Sequence, residues 1–299
     1  MSSVVAMELR PVDAGDRGAL DALFSLADEC DGHFPIGEHK YLDLMAGGGP
    51  PTGLVAVEDD AVIAYVALTP PRRDATAALE IAIHPLHRSN AIIDMLIREG
   101  VAAAAETNAG GVRVWAFQPN MVDQFRAAGF RTERELRQLR IDLPIIEQAR
   151  LPTGMQERRF RPGVDEETWL AVNNSAFRGH PENGAWTREI LADRFEQPWF
   201  DPEGFVMLWD VETLAGFCWT KPHDDIGEIY VIAAAPSHQG RGVGRYLVVR
   251  GLQVISEYHG FDQAMLYMDS DNTRAATLYD SLGFRLHHID RSMTLDLSR

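Results

Sequence analysis

The chain carries its own pattern twice. An Arg-Pro pair follows an early strand-like run at Arg10-Pro11 and returns at Arg161-Pro162, 151 positions later. Pro85 ends the run Leu79-Glu80-Ile81-Ala82-Ile83-His84, and Pro236 ends a comparable run at the same offset. Phe125-Arg126-Ala127-Ala128-Gly129-Phe130 parallels Tyr279-Asp280-Ser281-Leu282-Gly283-Phe284, with slightly larger spacing. An offset held over several landmarks means that one domain has been duplicated. At 299 residues the chain can build two ordinary cores. Pro152 and Gly154 mark a linker near residues 149–154. The expected division is therefore 1–150 and 151–299.

Each half reads alike. A short strand leads into a helix, at Asp16 to Ala27 or Asp165 to Ala176. Two strands follow, Leu54-Val57 and Ala61-Leu68 in the first half, Phe205-Trp209 and Leu214-Thr220 in the second. Next come a fourth strand, a loop–helix unit and another strand (Val112-Phe117 or Ala264-Met268). A short helix and a C-terminal strand finish the half. This order predicts an α/β or α+β sheet covered by helices. Asp271 or Asn272 can cap the last helix, and Gly283 supplies its left-handed stop.

The loop–helix unit of the second half holds the clearest chemistry. His238-Gln239-Gly240-Arg241-Gly242-Val243-Gly244-Arg245 follows the apolar run Glu228 to Ile232 and precedes a helical segment, Tyr246 to Ile255. Three glycines between a strand and a helix let backbone N–H groups converge on a phosphate, and the helix N-terminus favours negative charge there. Arg241 and Arg245 bracket the turn and can add charge-assisted hydrogen bonds. The matching stretch of the first half, Arg88-Ser89-Asn90-Ala91-Ile92-Ile93, contains no glycine, and side chains there would obstruct a pyrophosphate.

A net charge of −16 argues against a nucleic-acid backbone as partner. Two cysteines, Cys30 and Cys218, make no disulfide framework and suit a reducing cytoplasm, with Cys218 read as a buried structural thiol. Nothing resembles a membrane span or a secretion signal. His84 and His87, and the pair His287-His288, lack further ligands at metal-binding spacing, so solvated or packing roles and no metal are expected. The alternating charges of Arg131 to Arg140 read as an exposed face. The expected protein is a cytoplasmic monomer acting on a small molecule, without nucleic-acid or membrane partners.

The loop Gln239-Gly240-Arg241-Gly242-Val243-Gly244 and the segment Asp271-Asn272-Thr273-Arg274-Ala275-Ala276-Thr277-Leu278-Tyr279-Asp280-Ser281-Leu282-Gly283-Phe284 together resemble the GNAT-type N-acetyltransferases. They fit that family's Q/R-x-x-G-x-G/A pyrophosphate loop and its N-x-x-A…Y…GF ending, in the expected order. The resemblance implies two tandem GNAT domains, each a mixed, mostly antiparallel sheet flanked by helices, and acetyl-CoA as co-substrate. The segments NNSAFRGHPENG (173–184), GFCWTK (216–221), GEIYVI (227–232) and LYMDSDN (266–272) resemble tandem members that acetylate the cysteinyl amine of cysteinyl-glucosaminyl-inositol to give mycothiol. Two departures stand out. Asn183 occupies a place where glutamine is usual, and Ala233-Ala234-Ala235 replaces a glycine-valine-aspartate run.

Acyl transfer from a thioester to an amine needs a base for the amine, a donor for the oxyanion and a proton for the leaving thiolate. The resemblance assigns the base to Glu228 and the acid to Tyr279. The first half has Ala77 and Phe125 at the matching places, so it is expected to be catalytically dead. Ile232, Ala233 and Ala234 are expected to offer backbone partners to pantetheine, with Gln239, Gly240, Arg241, Gly242, Val243, Gly244 and Arg245 around the pyrophosphate. Asn272, Thr273, Arg274, Ala275, Ala276 and Thr277 are expected to flank the cofactor's far side. Backbone at Ile81, Ala82 and Ile83 can make the same contacts in the first half. For the acceptor, the resemblance suggests Glu38, Glu182, Lys221 and Tyr267, with Glu228. A role for Glu38 would make the first half one wall of the acceptor pocket. The fold and loop leave open a GNAT acting on another small-molecule or peptide amine, or an acyl-CoA sensor without turnover.

Overall fold

A computed structural model describes residues 7–32, 34–47, 53–71, 76–180 and 183–297, with the side chains of Glu38 and His39 left out. The chain divides into two compact units. The first consists of Met1–Leu136 with Ile289–Arg299, and the second of Arg137–His288. Division thus falls inside two strands, and not in the linker at 149–154.

In chain order the first half contributes β1 (Glu8–Pro11), α1 (Arg17–Asp31), α2 (Glu38–Met45), β2 (Leu54–Glu58), β3 (Ala61–Thr69) and β4 (Thr76–Ile83). It continues with α3 (Asn90–Ala105), β5 (Gly111–Ala116), α4 (Pro119–Ala127) and β6 (Arg131–Asp142). The second half contributes β7 (Met155–Arg159), α5 (Glu166–Ala176), α6 (Arg188–Phe195), β8 (Phe205–Asp210), β9 (Thr213–Pro222) and β10 (Gly227–Ala234). It ends with α7 (Val243–Gln253), which runs into a π-helical turn at Val254–Tyr258, then β11 (Gln263–Asp269), α8 (Thr273–Leu282) and β12 (Arg285–Asp296).

Strand order in the first unit is β1-β2-β3-β4-β5-β12, and in the second β7-β8-β9-β10-β11-β6. β1 to β4 pair antiparallel, β4 and β5 run parallel, and the 291–296 part of β12 pairs antiparallel with β5. β7 to β10 repeat the antiparallel run, and β10 pairs parallel with β11. The helix between each parallel pair is the crossover such a pair requires. The expectation that each half ends on its own last strand is corrected here. The place after β5 is taken by the end of the chain, and the place after β11 by residues 137–142 of β6. The two candidate strands have the same length and lie at the same position in each copy, so local pattern does not choose between them.

Each sheet is apolar on both faces because helices cover both. In the first unit Ala64, Val66 and Leu68 of β3 pack with Ile93, Leu96 and Phe125. The alternate residues Tyr65 and Ala67 pack with Leu20, Phe24 and Leu44 of α1 and α2. In the second unit Ile229, Leu266 and Met268 face α7 and α8, among Leu247, Leu252 and Tyr279. Val231, Phe217 and Trp219 face α5 and α6, among Trp169, Leu170 and Leu191. Helix-to-sheet contact is close enough to require glycine at the same place in both copies. A Cβ on Gly100 would sit 2.3 Å from Leu79 Cδ1, and one on Gly251 would sit 2.5 Å from Cys218 Sγ.

The repeated Arg-Pro pair has a structural cause. Arg10 donates to both carboxylate oxygens of Asp16 at 2.7 Å, and Arg161 to both of Asp165 at 3.0 and 2.8 Å. Asp16 and Asp165 are buried where α1 and α5 begin. Their arginines hold both carboxyls below the usual carboxylate range.

Candidate active site

The parallel pairing of β10 with β11 covers only Gly227–Ile229 against Ala264–Leu266, although both strands continue. Beyond Ile229 the two strands separate. On its other edge β10 carries a bulge against β9 between Ile229 and Val231. A bulge adds one residue and turns the following peptides, so Tyr230 and Val231 both pack on the α5–α6 side. Ile232, Ala233 and Ala234 lie along this opening and are half-exposed. In the first unit β4 and β5 also part, after Leu79 and Val114. There β4 pairs with β3 without a shift, and Ile81, Ala82 and Ile83 are buried. The residues along the opening are thus half-exposed in the second unit and buried in the first.

The glycine turn lies just beyond the opening. Gly240 and Gly242 have φ of 78° and 82°, the left-handed region where glycine alone is unstrained. A Cβ on either would meet nothing within 4 Å, so the turn's outer side is open space. Gly242 is the N-cap of α7, and no side chain caps that helix. Its first N–H groups therefore point outward as donors. This fits a pyrophosphate by backbone contacts and helix potential. The first unit differs at the same place. Its helix α3 begins at Asn90, consuming the loop, and Ser89 Oγ accepts the Ile92 N–H at 3.4 Å. Arg88 there is bound to both oxygens of Asp31 at 2.7 and 2.6 Å.

The arginines of the second turn are also engaged. Arg241 donates to Asp210 at 2.9 Å, which holds the Asp210 carboxyl below its usual range. Buried His238 reaches the same oxygen at 3.3 Å. Arg245 donates twice to Glu147, at 2.7 and 2.5 Å, and to Ser281 Oγ at 2.9 Å. They brace the turn. On α8, Asn272 Oδ1 accepts the Ala275 N–H at 3.1 Å and Arg274 donates to Gln239 at 2.7 Å, tying Thr273–Leu282 to the turn.

Glu228 and Tyr279 belong to opposite faces of β10. Tyr279 packs with Ile229, Leu252 and Met268 on the α7 side, its ring 5.4 Å from Phe284. Burial, with Cys218 nearby, pushes its pKa well above the ordinary tyrosine value, so the hydroxyl stays protonated. Phe125 and Phe130 make the same ring pair in the first unit at 5.1 Å, without a hydroxyl. Glu228 is 8% exposed and stands opposite Lys221 of β9 and Met265 of β11. Strand alternation puts Tyr267 and Asp269 on its face.

Several polar groups gather on that face. Lys221 Nζ lies 4.7 Å from the Trp199 ring centroid and 5.2 Å from that of Tyr230, within cation–π range. Tyr267 Oη accepts from Gln138 Nε2 at 2.6 Å. His180 Nδ1 accepts the Asn183 N–H at 3.0 Å, so its Nε2 carries the proton toward Asp269 at 3.3 Å. His223 Nε2 lies 2.8 Å from Glu228 Oε2. His223, His180 and Asp269 were not singled out from the sequence. The available signal for His223 was a histidine in a hairpin turn five residues before the candidate base. Glu182 lies outside the described residues. Glu38 opens α2, and its side chain is likewise outside the described set. Among the described residues no group of three or more His, Cys, Asp or Glu could hold a metal ion, and His87 instead meets Glu58 at 3.1 Å. No helix of the described residues is long and apolar enough to cross a membrane.

The model of the acetyltransferase (GNAT) family matches residues 20–130 and again 168–284. The chain belongs to the GNAT acetyltransferase family. A mycothiol acetyltransferase from Thermobispora bispora is 38% identical to this GNAT acetyltransferase over 299 residues, covering 96% of this chain and 98% of that one. One from Thermomonospora curvata is 40% identical over 275 residues, covering 90% of each. Among solved structures, a GCN5-related N-acetyltransferase from Sphaerobacter thermophilus superimposes with a TM-score of 0.74 at 20% identity, covering 98% of this chain and 96% of that one. A tandem GNAT protein from the clavulanic acid biosynthesis pathway gives 0.73 at 16% identity, covering 98% and 99%. This GNAT protein is thus an acyltransferase of tandem α/β architecture, and its family uses acetyl-CoA.

Proposed function

We propose that the second unit holds the working acyl-transfer site, and that it moves an acetyl group from acetyl-CoA to the cysteinyl amine of cysteinyl-glucosaminyl-inositol, giving mycothiol. The observation that carries this reading is the opening between β10 and β11, with Glu228 on one face and Tyr279 on the other. The near-full-length likeness to mycothiol acetyltransferases supports the choice of acceptor.

Bound acetyl-CoA supplies the activated acyl group. The outward N–H groups at the start of α7 hold its phosphates, and the half-exposed edge at Ile232, Ala233 and Ala234 receives the pantetheine arm. Asn272 to Thr277 form the far side of that channel, and Arg241 and Arg245 keep the turn in shape through Asp210 and Glu147. An α-amine titrates near about 7.7–8.0, so the acceptor arrives largely as an ammonium and Glu228 takes its proton. Tyr279, held neutral by burial, keeps a proton for the departing thiolate. Lys221, Tyr267 and Glu182 satisfy hydroxyls of the sugar and inositol.

Counting back from the prolines gives Ala77 of the first unit as the counterpart of Glu228, but the bulge in β10 shifts that count by one. The register puts Ala78, opposite Thr69 and Arg113, where the second unit has Glu228 opposite Lys221 and Met265. Phe125 stands at the position of Tyr279, the β4 edge is buried and the helix is capped. The first unit serves as scaffold, Ile81, Ala82 and Ile83 holding no cofactor. The test is direct assay of the purified chain with acetyl-CoA and cysteinyl-glucosaminyl-inositol. Acetylated product is expected, and Glu228→Gln and Tyr279→Phe should each lower kcat by about 10²-fold or more while CoA still binds. Absence of product at saturating acetyl-CoA would refute the acceptor, and unchanged turnover in both variants would refute the two roles.

A further inference from the structure

We infer that His223 is a positioning residue for Glu228, fixing one carboxylate oxygen so that the other faces the acceptor amine; this rests on Glu228 being the base. The geometry is specific. His223 directly follows β9, and its N–H donates to the Ile226 carbonyl at 3.0 Å, which sets the residue in the four-residue turn before β10. Register across that hairpin, Pro222 against Gly227 and Lys221 against Glu228, puts Glu228 one residue into β10. The imidazole Nε2 then lies 2.8 Å from Oε2.

An ionised carboxylate only accepts, so Nε2 carries the hydrogen and donates it. The two side chains differ in exposure, 34% for His223 and 10% for Glu228. A carboxylate sunk this far loses hydration, and a charge-assisted hydrogen bond replaces part of it. Two other polar groups share that face. Lys221 is stacked against Trp199 and Tyr230, and Tyr267 accepts from Gln138. With Oε2 held by the imidazole, rotation of the carboxylate plane is restricted, and Oε1 is the oxygen presented for proton transfer. Pre-set orientation of this kind is a recognised part of the rate in proton transfer between held groups.

Two substitutions separate the bond from the bulk of the ring. His223→Leu removes the donor, and His223→Gln puts an amide N–H at the place of Nε2. In the full chain, His223→Leu should lower kcat about tenfold or more while KM for acetyl-CoA stays within about twofold, and His223→Gln should recover most of the loss. In a Glu228→Gln background, His223→Leu should cost almost nothing further, because the group it positions is gone. CoA binding and a thermal melt on each variant report folding. If His223→Leu turns over like the unmodified protein while Glu228→Gln is inactive, the positioning role is wrong and the base assignment stands. If Glu228→Gln is itself active, the base assignment fails, whatever His223 does. If His223→Leu is unfolded, a His223→Gln variant that is folded and as slow as Glu228→Gln overturns the inference.

Discussion

Asp165 shows how much one carboxylate can organise. It accepts the Arg161 N–H at 2.9 Å, takes two further bonds from the Arg161 guanidinium and is buried, while that guanidinium remains largely exposed. Removing the carboxylate lets the arginine rehydrate, so Asp165→Ala should lower stability by about 1–2 kcal/mol at pH 7. The pH dependence follows from the direction of the shift. A carboxyl held below its unfolded value stabilises the fold above about pH 4 and loses that contribution as pH falls through the lower, folded value. Urea melts of both proteins should therefore differ at pH 7 and converge as pH falls well below the ordinary carboxylate range. A difference that persists at low pH would assign the effect to packing.

At the scale of elements, α7 begins where glycine permits and α3 begins where serine caps. The contrast makes Gly242→Ala informative. With φ at 82° and open space around the new Cβ, the substitution strains the backbone without a clash. The expected cost is about 1–2 kcal/mol in stability, together with a severalfold rise in KM for acetyl-CoA at little change in kcat. An unmoved KM would mean that the turn does not hold the phosphates. The turn was readable in the sequence because a left-handed position before a helix is a local property of glycine. Strand alternation was equally local: Ala61 to Leu68 becomes Ala61–Thr69, and Leu214 to Thr220 becomes Thr213–Pro222. The run Arg131 to Arg140, read as an exposed face, is instead part of β6, with Gln138 and Leu139 buried. The partners of Arg241 and Arg245 lie 31 and 98 residues away, and no local pattern announces them. His223 escaped notice for the same reason, since its contact with Glu228 depends on hairpin register.

Over the whole molecule, the linker at 149–154 looked like a domain boundary because proline and glycine punctuate chains locally. Strand partnership is decided by distant pairing, and the repeats offer two interchangeable strands. A fragment cut at that linker, residues 151–299, would lose Leu139, Ile141 and Leu143 from the core of the second unit and keep a strand belonging to the first. It should melt without a cooperative transition, whereas 137–288 should melt cooperatively. The reverse result would return the boundary to the linker. Isothermal titration of the intact chain should give one CoA per molecule; two would mean that the first unit's opening admits a ligand after all.

The exchanged final strand also sets an order of events during synthesis. The half of the protein that leaves the ribosome first pairs β5 with residues 291–296, which are made only after the second unit's residues 137–288. At roughly 5–20 residues per second, the earlier half waits many seconds with one sheet edge bare, while the later half already holds residues 137–142 before its own sheet is complete. The part of the chain with the least chemistry is thus the last to close, and a bare edge of that kind is where a nascent chain is most exposed to mispairing.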